Sequence, residues 1–354
     1  MPEIREMTKT RDMEILREED YLAAMNGPCR AWREACVEEG DLKSFDNTTI
    51  HYYHATPADA KACIVMLHGF CEFFARYHEM AWYFYRAGYA FFFPEQRGHG
   101  LSGGKLAEPD VVWVDDFETY VRDLDVFISE TVSKKSPSLK KILFAHSMGG
   151  AVGTLYLESH PDVFAGAVYS SPMFCLKKVN FSPPVLALVK LYVRLTHREK
   201  TIAAGEKHFS RAQEFGTGSM LSKSHYEYQH AIKLDNAAYQ TYASSYGWAI
   251  AAIEATKRLL RDAPRIRTKV VLLTAGNDAL VNPAGYEAFM KRVPGTVRKT
   301  YPASKHEVYN ADDETRMRFY DDLFCAIEGF LGVTAGKNEK NPYFRQKGSD
   351  NREK

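Results

Sequence analysis

No stretch of the sequence approaches the ~20 consecutive apolar residues that a membrane-spanning helix needs. The opening residues are dense in charge (Glu3, Arg5, Lys9, Arg11, Asp12, Arg17, Glu18, Glu19, Asp20), and no apolar core follows them, so a secretory signal is not encoded there. Net charge is almost nil, with 46 Lys+Arg against 45 Asp+Glu giving +1. That removes the electrostatic footprint of a nucleic-acid partner. The six cysteines (Cys29, Cys36, Cys63, Cys71, Cys175, Cys325) contain no C-x-x-C pair, which argues against a zinc site. Several lie in apolar contexts, as suits reduced thiols better than a disulfide framework. These absences lead us to expect a cytoplasmic chain, either free or peripheral at a membrane surface.

What is present fits an ordinary globular protein. Of 354 residues, 45% are apolar and 26% charged, enough for one large core or for a core with a lid. Residues 1–25 read as a charged leader, partly helical or disordered. Lys43-Ser-Phe and Thr49 to Ala55, separated by Asp46-Asn47, read as an antiparallel hairpin. The continuous apolar runs at 61–67 and 89–94 predict strands buried on both faces, as in parallel sheets. Further strands are predicted at 142–145, 164–170, 269–275 and 298–301. Helical periodicity marks 73–86, 116–132, the stretch from Ala151 to Leu157, and about 313–331. Strand–helix alternation of this kind predicts an α/β fold, a mostly parallel sheet flanked by helices. The alternation fails over 173–245, which is aromatic, basic and too long for an unstructured loop. We expect a helical lid insertion there, over the sheet's C-terminal edge, between core segments 26–172 and 246–334. The polar stretch 335–354 reads as a disordered tail.

Lys140-Lys-Ile-Leu-Phe-Ala-His-Ser-Met-Gly-Gly-Ala-Val-Gly-Thr organises the chemistry. A serine pinched between a buried strand and an apolar helix, with small residues two before and two after, fits the nucleophile-elbow pattern, in which bulk would collide across the turn. Ala145 stands at the first glycine position, and a methyl group can still fit. A serine hydroxyl needs a base, an orienting acid and a site for the oxyanion charge. His306 follows the last strand among short polar residues and is the candidate base. Asp278 follows the Val270-Val-Leu-Leu run and is the candidate acid. His146, next to the serine, points away in an elbow and is not expected to serve. The oxyanion requires backbone N–H groups from Met148 and from the His68-Gly69-Phe70 loop, with Phe70 as second donor. Singly, His306 reads as a surface histidine, Asp278 as a turn former and His68-Gly69 as a strand terminus. Together, all at strand ends and in the order Ser, Asp, His, they read as one catalytic set.

With these segments in place the chain resembles the α/β-hydrolase superfamily, and more closely its monoacylglycerol lipase and bacterial lysophospholipase group. The resemblance rests on Leu67-His-Gly-Phe-Cys-Glu72 with Arg76-Tyr77, Arg97-Gly-His-Gly-Leu-Ser-Gly103, Ala145-His-Ser-Met-Gly-Gly150, Ser171-Pro-Met-Phe174, Gly276-Asn-Asp278 and Lys305-His306-Glu307. It covers about residues 40–332. It implies Ser147 as nucleophile, Asp278 as acid, His306 as base, and Phe70 and Met148 as oxyanion donors. Cys71 departs from the glycine the group often has; it is expected to pack rather than react.

Substrate class is read mainly through that resemblance: a single-chain lipid ester, a lysophospholipid or monoacylglycerol, with no metal and no organic cofactor. Within the insertion, 183–198 reads as an amphipathic helix started by proline. Val185, Leu188, Val189, Tyr192 and Leu195 share one face, and Lys190, Arg194 and Arg198 line another. Such a helix either contacts an anionic membrane surface or packs its apolar face on the main domain. The rivals are a small-ester esterase, thioesterase or aminopeptidase on the same fold, and a non-catalytic binding protein that keeps it. Nothing in the sequence indicates an oligomeric state.

Overall fold

The computed structural model describes residues 14–177 and 182–333. Residues 1–13 of the expected leader and the whole of the expected tail at 335–354 lie outside the described residues. Among the described residues, eight strands form one sheet: β1 Glu38–Lys43, β2 Thr49–Ala55, β3 Cys63–Leu67, β4 Ala90–Pro94, β5 Lys141–His146, β6 Gly166–Ser170, β7 Val270–Ala275 and β8 Val297–Tyr301. Their order is β1-β2-β4-β3-β5-β6-β7-β8. The β1–β2 and β2–β4 pairs are antiparallel and the rest parallel.

The buried strands split by the two-residue side-chain period of a sheet. Val65, Leu67, Phe92, Leu143 and Ala145 join one apolar layer, while Ile64, Met66, Phe91, Phe93 and Phe144 join the other. The helices are α1 Tyr21–Asn26, α2 Pro28–Cys36, α3 His78–Arg86, α4 Phe117–Phe127, α5 Met148–Ser159, α6 Pro183–Leu195, α7 Lys223–Asp235, α8 Tyr246–Asp262, α9 Ala284–Arg292 and α10 Asp313–Leu331. Side chains of α4, α5, α8 and α9 complete the first layer, and those of α3 and α10 the second. α5 is buried from Met148 to Glu158, as expected for a helix apolar on all sides. α10 begins where its cap dictates: Asp312 accepts from Thr315 N–H at 3.0 Å, a cap worth about 1 kcal/mol.

Three differences from the sequence reading have simple causes. The first strand of the hairpin runs over Glu38–Lys43 rather than around Lys43–Phe45, with Lys43 opposite Thr49 and Asn47 turning at φ 65°. β1 is an edge strand of mostly charged residues, so no apolar alternation announces it. α8 and α9 have no counterpart among the expected helices. Within the expected leader, α1 buries Tyr21 and Met25 against Cys29 and Tyr228, so packed structure starts before residue 26. In the 173–245 stretch, α6 and α7 are separated by residues 196–222, which carry turns and an isolated bridge, and Ala243–Ser244 pairs with Val111–Val112.

Buried histidines make the fold acid-sensitive. Burial pushes His68 down to about 4, His146 to about 4 and His99 to about 3. A base whose folded value is depressed contributes stability that is present above its unfolded value of about 6.5 and lost as pH falls below it, because only the unfolded chain then takes the proton. Unfolding free energy measured in urea is therefore expected to drop between about pH 7 and about pH 5. His99→Phe is expected to flatten that slope. A stability unchanged across this window would contradict the neutral, buried assignment of these rings.

Candidate active site

Ser147 is the hinge between β5 and α5. Its backbone stands at φ 49° and ψ −115°, a sparsely populated region whose strain costs about 1–3 kcal/mol. Its N–H donates to Ser170 O at 3.1 Å, and its carbonyl accepts from Met173 N–H at 2.9 Å, which pins the turn from the β6 side. The turn is also closed sterically. A Cβ on Gly149 would meet the Leu67 carbonyl oxygen at 2.5 Å and that of His68 at 2.7 Å. Ala145 is wholly buried in the first layer beside Leu67 and Tyr169, so a methyl group is accommodated there. Ser147 itself is half-buried.

Asp278 and His306 follow β7 and β8. His306 Nδ1 donates to Asp278 Oδ2 at 2.7 Å, both side chains being buried. Asp278 Oδ1 accepts from Leu280 N–H at 2.8 Å and Val281 N–H at 3.0 Å. Burial alone would raise this carboxyl, but the His306 contact and the two backbone donors outweigh it and hold the group below its usual value. With Nδ1–H committed to the carboxylate, a neutral His306 carries its lone pair on Nε2. That atom is buried and has no hydrogen-bond partner among the described residues. Its ring lies 4.8 Å from that of His146, which places it beside the elbow. Ser147 Oγ and Nε2 are not joined by a hydrogen bond here; such contacts often tighten only with substrate bound. His146 points its Nδ1 at Ser170 O, 2.9 Å away, with its ring packed beside that of His306.

The loop after β3 is clamped by His68. Its Nε2 accepts from Gln96 N–H at 2.8 Å, so Nδ1 must carry the proton, which it donates to Gly69 O at 2.7 Å. A trans peptide directs the following N–H opposite to its carbonyl. Holding Gly69 O toward His68 therefore turns the Phe70 N–H away from it. Neither Phe70 N–H nor Met148 N–H, the first of α5, donates to an acceptor among the described residues. Cys71 sits at φ 59°, the left-handed region, which gives a reason for glycine to be common at this place in the group. Burial drives its thiol well up, as befits a packing residue.

Sequence reasoning gave no role to the charges behind this loop. Arg76 Nη2 donates to Glu307 Oε2 at 2.5 Å, and Glu72 Oε1 lies 3.4 Å from Arg76 Nε. Glu72 Oε2 accepts from Gly69 N–H at 2.6 Å and from Tyr77 OH at 2.5 Å. Glu307 also accepts from Ser219 Oγ at 2.6 Å and Asn310 Nδ2 at 2.7 Å. The cluster thus ties the Phe70 loop to the His306 loop and to the 173–245 stretch. Removing either partner of such a buried pair typically costs about 3–5 kcal/mol. Arg76 and Glu307 each lie in a motif legible in the sequence, but a pairing across the fold leaves no local signal.

An eight-stranded, mostly parallel sheet with a strained serine after β5 and a buried Asp–His pair after β7 and β8 defines an α/β-hydrolase. A carboxyl esterase from Bacillus coagulans, solved with glycerol, shares this fold at TM-score 0.67 and 17% identity, covering 84% of this chain and 99% of that one. The chain belongs to the family described as "Serine aminopeptidase, S33", whose model matches residues 58–313. Lysophospholipase L2 of Escherichia coli is 25% identical over 285 residues, 77% of this chain and 80% of that protein. The monoacylglycerol lipase of Mycolicibacterium smegmatis is 26% identical over 258 residues, 72% of this chain and 85% of that protein. The chain is thus a hydrolase of this fold. Among the described residues no helix is long and apolar enough to cross a membrane, and no His, Cys, Asp or Glu group has the makings of a metal site.

Proposed function

We propose that the chain is a serine carboxylester hydrolase that cleaves the acyl ester of a lysophospholipid or monoacylglycerol through an acyl-enzyme. The observation that carries the serine mechanism is the open Nε2 of a buried, Asp278-anchored His306 beside the elbow at Ser147. In this reading His306 Nε2 takes the Ser147 proton as Oγ attacks the ester carbonyl. The Phe70 and Met148 N–H groups receive the oxyanion, each donor being worth about 2.7–4 kcal/mol in the transition state. Collapse breaks the ester bond, and His306 returns its proton to the leaving alcohol. A water then enters, gives a proton to His306 and attacks the acyl carbon; collapse returns that proton to Ser147 and releases the fatty acid.

The lipid assignment draws on the similarity to lysophospholipase L2 and monoacylglycerol lipase. An aminopeptidase would need a free carboxylate to hold the substrate amine. Two buried carboxylates near the site, Glu72 and Glu307, are both engaged with Arg76. A hydrolysis panel of lysophospholipids, monoacylglycerols, short p-nitrophenyl esters and aminoacyl amides tests the reading. Lipid turnover no faster than that of short esters or amides would sink the lipid assignment and leave the serine mechanism standing.

The 173–245 stretch is proposed as a lid. Ser219 O accepts from Glu307 N–H, and Leu221 and Ser222 N–H both donate to Asn310 O, so the stretch is bonded to the loop bearing His306. α6 turns Leu186 and Val193 inward and leaves Leu188, Leu191, Tyr192 and Leu195 exposed at 66%, 53%, 51% and 71%. Of the two packings open for this helix, the face bearing Leu188, Tyr192 and Leu195 thus meets solvent, not the main domain. Lys190 is engaged with Glu254, so contact with a membrane would rest chiefly on the leucines. Replacing Leu188, Leu191 and Leu195 by serine is expected to abolish co-sedimentation with phosphatidylglycerol-containing vesicles while turnover of a soluble short ester persists. Unchanged co-sedimentation would rule out this contact.

A further inference from the structure

Two successive peptide groups, His68–Gly69 and Gly69–Phe70, lead to the candidate oxyanion donor Phe70, and three of their four polar atoms are held by side chains. His68 O accepts from Gln96 Nε2 at 2.6 Å, Gly69 N–H donates to Glu72 Oε2 at 2.6 Å, and Gly69 O accepts from His68 Nδ1 at 2.7 Å. The fourth is the Phe70 N–H, which donates to no acceptor among the described residues. A peptide group is planar, so holding its carbonyl and its N–H fixes the plane. Gln96 therefore holds one end of the plane from which the Phe70 donor is aimed.

The same carbonyl bears on the other half of the candidate oxyanion hole. A Cβ on Gly149, the residue after the Met148 donor, would stand 2.7 Å from His68 O. Gln96 and the first turn of α5 thus both meet this oxygen, which ties the placement of the Phe70 N–H to that of the Met148 N–H. Gln96 is itself firmly held. It is buried beside a fully buried His68, and its backbone N–H donates to His68 Nε2 at 2.8 Å. Its carbonyl accepts from His99 N–H at 2.9 Å, and the preceding Glu95 N–H donates to His51 O of β2 at 2.9 Å. The Glu95 carboxylate accepts from Phe74 N–H at 3.1 Å and from Leu101 N–H at 2.6 Å. A support anchored in this way keeps the donors in place before the oxyanion forms, so little reorganisation is left for the reaction itself.

We propose that Gln96 is a positioning residue of the oxyanion hole: the hydrogen bond from its side-chain amide to His68 O keeps the Phe70 N–H in register with that of Met148. The assignment rests on the serine-hydrolase reading of the Ser147 site. Gln96→Met keeps the length of the side chain, removes the donor and leaves the backbone bond to His68 Nε2 untouched. On a soluble p-nitrophenyl ester its kcat is expected to fall about ten-fold or more with KM little changed, the pattern of an interaction that counts only in the transition state. Gln96→Glu is the conservative variant. An ionised carboxylate cannot donate to His68 O, whereas a protonated one can. Burial raises the pKa of such a carboxyl, so the kcat of Gln96→Glu relative to wild type is expected to climb as pH falls from about 8 to about 5. The same ratio for Gln96→Met is expected to stay flat.

A trifluoromethyl ketone separates positioning from mere structural support. Ser147 Oγ adds to its carbonyl carbon, the hydroxyl proton passing to His306 and the carbonyl electron pair to the oxygen, which then sits where the ester oxyanion would. Its inhibition constant is expected to rise in Gln96→Met by the same factor as kcat/KM falls. Unchanged ketone affinity in that variant, whatever its melting temperature, would make Gln96 structural only and overturn the proposal. So would a Gln96→Glu ratio that ignores pH, and this second variant decides alone if Gln96→Met fails to fold. A wild-type chain that neither hydrolyses the ester nor binds the ketone would instead refute the serine mechanism, and the proposal with it.

Discussion

Ser147→Ala is expected to lower kcat by on the order of 10⁶-fold on whichever ester proves the best substrate, and to abolish labelling by a fluorophosphonate probe. The size follows from covalent catalysis. Without Oγ no acyl-enzyme can form, and what survives is the modest acceleration from bound substrate and oxyanion donors. The variant should fold, since Ser147 is tied into the turn by its backbone N–H and carbonyl. Labelling that survives the substitution would remove Ser147 as nucleophile. No labelling of the wild-type chain would favour a binding protein that retains the fold.

Asp278→Asn is expected to cost about 10⁴-fold in kcat with the fold intact, the size set by a wrong imidazole tautomer in a comparable triad. Here the geometry supplies the reason. Asp278 Oδ1 accepts from the Leu280 and Val281 N–H groups, so the single amide oxygen of asparagine is drawn to that side. Its NH₂ then faces His306 Nδ1, which must accept rather than donate. The ring proton moves to Nε2, and the lone pair that should take the Ser147 proton is gone. Nitrogen-15 chemical shifts of His306 report the tautomer directly. Wild-type kcat with an Nε2–H ring would refute the assignment of Nε2 as base.

The two substitutions touch the part of the site that local sequence made readable. Ser147 lies where a buried apolar strand meets an apolar helix; Gly149 is enforced by backbone oxygens of β3 and its loop within 3 Å of any added Cβ, and Gly150 by Pro172. Asp278 and His306 each follow a strand, and strand order along the chain puts those ends on one edge of the sheet. Less was readable where signals are weak. β1 has too few apolar residues to alternate, and α9 is short, with Gly285 at its second position. α8 directly follows the irregular 173–245 stretch and was hidden by it.

Roles were harder than positions. His68 reads as a strand terminus until Gln96 N–H is seen to fix its tautomer and the Gly69 carbonyl to accept its proton. Arg76 and Glu307 are separated by 231 positions yet share a hydrogen bond. The period of 183–198 marks α6 as an amphipathic helix, but which stripe faces water follows from what lies beneath Leu186 and Val193, and no helical period carries that.

The sequence alone determined the α/β class, the elbow at Ser147 and the Ser, Asp, His order. Those depend on periodicity and turn sterics, which act between near neighbours and leave a pattern in the chain. Tertiary structure alone decided the clamp on the Phe70 loop, the Glu72–Arg76–Glu307 cluster and the solvent-facing leucines of α6. The free energy of a buried charge or an exposed leucine depends on which distant groups surround it, and only the folded chain brings those groups together.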